Sequence, residues 1–118
     1  MITIKNEATL FVDVDQTLVL WRSKNPNLTI IDPYDGEELK LEIVEAHVKL
    51  IKRAKGRGRT VIVWSHGGCL WAEAVVKAIG IEEYVDYCMT KVEDYVDDLD
   101  IGQWITKNIF QKNYGGGE

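Results

Sequence analysis

Six side chains with the chemistry of an active site follow four separate apolar stretches of the chain. They are Asp13, Asp15, Ser65, Lys91, Asp97 and Asp98. Carboxylates hold divalent cations, whereas hydroxyl and ammonium groups donate hydrogen bonds to anionic oxygens. If the fold brings the four stretches together, these side chains suit the binding of a metal ion and a phosphoryl group.

The acid pair Asp13 and Asp15 ends an apolar run that begins at Leu10. Side chains two residues apart in a strand share a face, so the two carboxylates crowd one point. Their repulsion requires a cation, a shared proton or hydrogen bonds in compensation. Asp-x-Asp also occurs by chance at strand ends, but an acid pair after a buried strand is more typical of a site than of a turn.

A second motif, Ser65-His66-Gly67-Gly68, separates an apolar strand over 60–64 from a predicted helix over 69–79. Glycines let an anion approach the backbone, a helix start offers unpaired N–H groups, and the serine adds a hydroxyl donor. The arrangement is typical of phosphate binding, although similar residues also form ordinary helix caps and turns.

Strand patterns and helix patterns alternate along the chain. Strands are predicted over 8–14, 60–64, 85–89 and 95–96, and helices over 43–55 and 69–79. Such alternation produces a parallel sheet whose strands end at one edge, where ligands bind. We therefore predict an α/β fold, a three-layer α/β/α Rossmann-like domain with its parallel strands in the order 3-2-1-4 and the first strand central. All four chemical signals then meet in one crevice.

Two shorter features complete the predicted organisation. The stretch from Asp32 to Gly36 contains Pro and Asp-Gly, which form tight turns, and predicts a β-hairpin flap over about 27–41 beside the acids. A short amphipathic helix is predicted from Ile101 to Ile109. The 118 residues then form one domain over 1–112 and a flexible glycine-rich tail over 113–118.

The composition is that of an ordinary globular domain with a formal charge of −5. This charge does not indicate nucleic-acid binding by the chain as a whole, and no apolar run is long enough to span a membrane. The first residues lack the pattern of a signal peptide, so a cytoplasmic location is expected. Cys69 and Cys88 are expected to be reduced packing residues, because no Cys-x-x-Cys motif is present.

The order and spacing of the motifs resemble those of the haloacid dehalogenase-like (HAD) phosphohydrolases. The stretch over 10–17, Leu-Phe-Val-Asp-Val-Asp-Gln-Thr, is similar to the first motif of that family, and Ser65 and Lys91 match its second and third motifs. The pair Asp97 and Asp98 matches the acidic fourth motif. The resemblance covers most of the chain and implies a small, capless HAD phosphatase that hydrolyses phosphate monoesters.

The resemblance implies three catalytic residues. Asp13 would attack phosphorus and form an aspartyl phosphate. Asp15 would protonate the leaving oxygen and then activate the hydrolytic water. Lys91 would bind the phosphoryl oxygens and offset the charge of the nucleophile.

The resemblance also implies the binding residues. The predicted substrate-binding residues are Thr17, Ser65, His66 and Gly67. The predicted ligands of the cofactor Mg²⁺ are Asp13, Asp15 through its backbone carbonyl, and Asp97 or Asp98. Asp94 or Asp100 is an alternative to the last two.

The sequence departs from the family pattern in two places. Gln16 stands where glycine is usual after the second aspartate, and His66 is an unusual neighbour of Ser65. His66 is interpreted as an exposed loop residue, a substrate contact or a second acid.

The intervals between the motifs leave no room for a cap domain. An uncapped crevice admits bulky substrates, such as a polynucleotide end, a phosphoprotein or a sugar phosphate, unless a second copy closes it. Trp21 and Tyr34, near the hairpin, either contact such a substrate or pack the hairpin down. The basic residues from Lys52 to Arg59 are explained as cations at a helix C-terminus. They support a nucleic-acid contact only weakly, because that helix end lies at the opposite edge of the sheet.

Two other functions share these residue types. A receiver-like signalling module also uses Asp, Ser or Thr, Lys and Mg²⁺, but its acceptor aspartate follows the third strand rather than the first. A non-catalytic HAD-fold binding protein would use the same crevice for a partner, although the intact pair of Asp13 and Asp15 argues against it.

Overall fold

The computed structural model describes residues 9–111, which contain six strands and two α-helices. The strands are β1 (Leu10–Asp13), β2 (Val19–Leu20), β3 (Leu28–Ile31), β4 (Glu38–Ile43), β5 (Val61–Ser65) and β6 (Tyr87–Thr90). The α-helices are α1 (Glu45–Gly56) and α2 (Cys69–Ile79), and short 3-10 helices span Glu82–Tyr84 and Ile101–Gln103. The predicted α/β class is confirmed.

A three-stranded parallel sheet carries the strand ends named above. Its order is β1-β5-β6, with Asp13 beside Trp64 and Ser65 beside Thr90 in the register. The carboxyl ends of all three strands therefore lie at one edge, as the alternation of strands and helices predicted.

The fourth predicted strand does not form in the described residues. Tyr95 and Val96 lie in irregular chain, so β5 is the central strand of this sheet and β1 is at its edge. The predicted order 3-2-1-4 is corrected to three strands. The physical reason is that two apolar residues flanked by Asp94, Asp97 and Asp98 provide too little surface to bury against β1.

The two faces of the parallel sheet differ. Val12, Val61 and Val63 point to the face where the core lies, and the apolar residues of both helices join them there. Phe11 and Trp64, on the opposite face, are only half-buried and stack with ring centroids 4.2 Å apart. Residues 9–111 thus form two layers on this sheet, where three were predicted.

A separate antiparallel sheet in the order β2-β4-β3 contains the predicted hairpin. Its turn is closed by side chains, since Asp32 accepts a hydrogen bond from the backbone N–H of Tyr34 and Asp35 accepts one from that of Glu37. Buried Ile30 attaches the hairpin to the common core. The turn therefore has a fixed position beside α2.

The prediction of α2 is confirmed, whereas the predicted helix near the end of the described chain is wrong. Helix α2 spans the residues predicted, and Gly80 ends it in the left-handed conformation with φ 85°. The predicted terminal helix over 101–109 is reduced to the 3-10 turn Ile101–Gln103. The predicted tail over 113–118 lies outside the described residues. None of the helices described is long and apolar enough to cross a membrane.

The basic run is partly neutralised at the amino edge of the sheet. Lys55 lies 2.6 Å from Asp86, and the ammonium of Lys52 lies 5.4 Å from the ring centroid of Tyr84. The hydrogen bond from Lys55, followed by one from the backbone N–H of Val61, holds the pKa of Asp86 below its usual value of 3.8. These contacts are structural and lie away from the acid pair.

Candidate active site at the carboxyl edge of the sheet

A tight loop after β1 presents the two predicted catalytic acids. The carbonyl of Val14 accepts backbone hydrogen bonds from Thr17, Leu18 and Val19 at 3.1, 2.8 and 3.2 Å. Val14 and Leu18 are fully buried and anchor this loop in the core. The polar residues between them are consequently held outward at a defined position.

Asp13 is flanked by a cation and a hydroxyl group. Its Oδ1 lies 3.8 Å from Nζ of Lys91, and its Oδ2 accepts a hydrogen bond of 3.4 Å from Oγ1 of Thr17. The backbone N–H of Lys91 donates to the carbonyl of Ser65 at 2.9 Å, so the end of β5 positions the lysine. A half-buried carboxylate with one free approach and a cation beside it is suited to attack an anionic phosphate ester.

Asp15 accepts hydrogen bonds from three side chains. The indole Nε1 groups of Trp21 and Trp71 both donate to Oδ1, at 2.8 and 3.1 Å, and Oγ of Ser65 donates to Oδ2 at 3.3 Å. Indole N–H groups are donors only, so Oδ1 is reserved as an acceptor. A proton on this carboxyl group must therefore sit on Oδ2.

Gln16 explains one departure from the family pattern. Its φ of 61° lies in the left-handed region, where glycine is usually preferred. Its side-chain Oε1 accepts a hydrogen bond of 2.8 Å from the backbone N–H of Trp21. Gln16 thus adopts a strained backbone conformation, and its side chain holds Trp21 in place beside Asp15.

The loop after β5 contains two glycines with close neighbours. Gly68 has φ 104°, and a Cβ there would collide with the hydroxyl group of Tyr34 from the hairpin turn. A Cβ on Gly67 would lie 3.1 Å from Cδ1 of Trp71 and 3.2 Å from Oγ of Ser65. The hairpin turn consequently lies directly against this loop.

Three backbone N–H groups of this loop already have partners within the protein. Gly67 donates to Oγ of Ser65, Gly68 donates to the Ser65 carbonyl, and Cys69 donates to Oγ1 of Thr90, at 2.9, 3.0 and 3.1 Å. Gly67 therefore orients the serine hydroxyl. The side-chain donors at Asp13 and Asp15 are an ammonium, two hydroxyl groups and two indole N–H groups.

Three other predicted site residues make their recorded contacts outside the acid pair. His66 is exposed, with Nδ1 3.6 Å from Oε2 of Glu93. Asp97 and Asp98 are exposed, and the carboxylate of Asp97 accepts a hydrogen bond from the backbone N–H of Leu99 at 3.0 Å.

The predicted magnesium ligands do not form one cluster in the described residues. No group of three or more His, Cys, Asp or Glu side chains suited to a metal ion occurs among residues 9–111. Asp13 and the backbone carbonyl of Asp15 would hold part of the Mg²⁺ shell that the resemblance implies, and Asp97 or Asp98 does not complete such a group with them. Of the predicted alternatives, Asp94 is exposed and Asp100 caps the 3-10 turn. Magnesium dependence stays a prediction from the sequence.

His47 supports the acidic loop from behind. The buried ring bonds to the Thr17 carbonyl through Nδ1 at 2.7 Å, while Nε2 accepts the backbone N–H of Gln111 at 2.8 Å. Because an N–H group can only donate, Nε2 is unprotonated and Nδ1 carries the hydrogen. The neutral imidazole therefore ties the carbonyl of Thr17 to the end of the described chain.

Trp71 is a site residue that sequence reasoning missed. Its ring is buried in the core. The available signal was its position six residues after Ser65, in the first turn of the helix that starts beside the acids. Tryptophan buries an apolar body while its N–H reaches a polar partner.

Neither cysteine takes part in this site. Both are free and half-buried, as expected of packing residues. Burial, with smaller contributions from Glu73 and Cys69, raises the pKa of Cys88 to about 11. Its thiol is therefore protonated and unreactive at neutral pH.

Comparisons with models of protein families, with curated proteins and with solved structures find no match for this chain.

Proposed function

We propose that this protein hydrolyses phosphate monoesters through a phosphorylated Asp13, as an enzyme similar to the HAD phosphatases. One observation supports the proposal above all others. Asp13, with a lysine and a hydroxyl group at its carboxylate, stands beside a second acid whose proton-bearing oxygen is defined. A nucleophile, a positive charge and a proton donor at one sheet edge are what phosphoryl transfer requires.

In the first step, an oxygen of Asp13 forms a bond to phosphorus while the bond from phosphorus to the ester oxygen breaks. The leaving oxygen takes a proton from Oδ2 of Asp15, and an alcohol departs. Lys91 offsets the charge on the phosphoryl oxygens. Ser65 is fully buried and donates a hydrogen bond to Oδ2 of Asp15 in the free protein, so it positions that acid.

In the second step, a water molecule attacks the phosphorus of the aspartyl phosphate. Its proton passes to the ionised Oδ2 of Asp15, and the bond between phosphorus and Asp13 breaks. Inorganic phosphate leaves and both carboxyl groups regain their starting states.

Mg²⁺ belongs to this proposal as the cofactor that the resemblance implies, but no step above passes through it. The substrate class follows from the open site. No cap lies over the acids within residues 9–111, and the hairpin turn covers only the loop at Gly68. A phosphate on a bulky group, such as a polynucleotide end, a phosphoprotein or a sugar phosphate, therefore has access to Asp13.

The test is hydrolysis of an aryl phosphate by the wild type and by Asp13→Asn, each with Mg²⁺ and with a chelator. Asparagine keeps the shape of the side chain but cannot act as the nucleophile, so turnover is expected to fall by at least about 10³-fold. Asp32→Asn, on the hairpin turn, is the control and is expected to keep wild-type turnover. Equal turnover by the wild type and Asp13→Asn would overturn the proposal.

A further inference from the structure

The side chain of Trp21 is the exposed member of the indole pair on Asp15. Its relative exposure is 39%, whereas that of Trp71 is 5%. The two rings lie 5.9 Å apart at 43°, so Trp71 supports one side of Trp21 from the core. Gln16 fixes the backbone of Trp21 from the other end. Trp21 is thus a partly solvent-facing ring with a defined position at the site.

The position of this ring is defined relative to the reacting atoms. Its Nε1 lies 2.8 Å from Oδ1 of Asp15, and under the proposed function the leaving oxygen comes within hydrogen-bond distance, about 3 Å, of the same carboxyl group. The first atoms bonded to the leaving oxygen therefore pass close to the indole. Lys91 and Trp64 lie on the Asp13 side, with the ammonium 5.9 Å from the ring centroid of Trp64. Trp21 accordingly faces the leaving group and not the phosphoryl oxygens.

We infer that Trp21 is a specificity-determining residue, and that the leaving group of the preferred substrate carries a planar aromatic ring, which packs on the indole. This inference rests on the proposed function and names the substrate class for it. An aromatic ring gains dispersion and quadrupole attraction on an indole face that an alkyl chain of similar size does not gain. A nucleoside and an aryl alcohol share this planar chemistry, whereas an alkyl or sugar group lacks it.

The experiment separates binding from turnover. In Asp13→Asn, which cannot turn over, the NMR signals of the indole N–H groups are followed while phenyl phosphate or cyclohexyl phosphate is added. Phenyl phosphate is expected to bind about tenfold more tightly and to shift the Trp21 signal most. Equal affinities for the two esters would overturn the inference whether or not the wild type hydrolyses either of them.

Two variants of Trp21 in the same background separate the ring from its hydrogen bond. Trp21→Phe keeps a ring but loses the donor to Asp15, and is expected to retain most of the preference for phenyl phosphate. Trp21→Leu loses both and is expected to bind the two esters within about twofold of each other. Trp104→Leu, which removes an exposed tryptophan that packs on Tyr95, is the matched control and keeps the full preference.

Turnover by the wild type then distinguishes the two claims. Hydrolysis of both esters with equal affinities would leave the phosphatase proposal standing and remove the aromatic specificity. Aromatic preference in binding without hydrolysis, in the wild type as in Asp13→Asn, would remove the phosphatase proposal and retain the aromatic subsite.

Discussion

The region from β1 to Lys91 has a buried apolar core, whereas the segment over 92–111 leaves many of its large apolar side chains exposed. In the first region, two helices and a hairpin cover one face of the sheet, and the buried valines of β1 and β5 lie in a continuous core. In the second, the exposed large apolar residues are Val92, Tyr95, Val96, Leu99, Ile101, Trp104, Ile105 and Phe110. The proposed nucleophile, its lysine and the acid held by two indoles all belong to the first region.

This difference separates the proposed site residues that strand pairing positions from those that it does not position. Parallel strands end at a common edge, so Asp13, Ser65 and Lys91 meet once β1, β5 and β6 pair. The acids of the second region would need a further strand to reach that edge. The proposed nucleophile and proton donor therefore belong to the packed region, whereas the additional carboxylates that the resemblance implies lie in the segment over 92–111.

The largest expected difference between the two regions is the loss of stability caused by a Val→Ala substitution in each. Val63→Ala removes buried methyl groups from the central strand and is expected to lower the free energy of unfolding by about 2 kcal/mol or more. Val96→Ala, at a fully exposed position, is expected to change it by less than about 0.5 kcal/mol. Urea unfolding followed by circular dichroism measures both. Equal losses would mean that the second region is packed.

The ion pair at the amino edge should have a smaller, pH-dependent effect. Pairing lowers the pKa of Asp86 in the folded state, so its stabilisation is present above the usual value of 3.8 and is lost as the pH falls through the lower folded value. Asp86→Asn is expected to cost about 1 kcal/mol at pH 7, since the pair is partly exposed, and progressively less below pH 3.8.

The matched control for that prediction is Glu38→Gln, which breaks a more exposed pair with Lys40 at 3.6 Å. It should change stability by less than Asp86→Asn at pH 7, and neither variant should alter turnover. A cost for Asp86→Asn that stayed constant down to low pH would contradict the assignment of its stabilisation to the charged pair.

The smallest expected effect belongs to the acidic segment. Asp97→Asn combined with Asp98→Asn is expected to change turnover at saturating Mg²⁺ by less than about twofold, because both side chains are exposed and neither forms a ligand group with Asp13 in the described residues. A loss of more than about tenfold, with the apparent affinity for Mg²⁺ reduced, would instead show that this segment closes onto the site. The segment over 92–111 would then contribute to the site, as the packed region does.

The sequence predicted the part of the molecule in which local pattern and burial agree. The apolar run before Asp13, the strand before Ser65 and the helix Cys69–Ile79 all combine strong periodicity with clear ends. The predictions of a strand at 95–96 and of a helix over 101–109 are wrong because short apolar patterns among acids and glycine do not specify a packing partner.

The candidate site shows the same limit at the level of side chains. The strand ends placed Asp13, Ser65 and Lys91 correctly at one edge, because topology decides their position. The indole pair on Asp15 and the bond from Gln16 to Trp21 depend on loop geometry and on which way a helix presents one side chain. Periodicity carries no information about such contacts.

The central claim is tested most directly by trapping the phosphoryl group. Asp15→Asn is mixed with an aryl phosphate whose leaving group needs no proton, quenched in acid and digested, and the peptides are weighed by mass spectrometry. Because the variant lacks the base for the second step, one phosphoryl group per chain is expected on the peptide that contains Asp13. Turnover with Asp13 unmodified, or a phosphoryl group on another residue, would contradict the proposed mechanism.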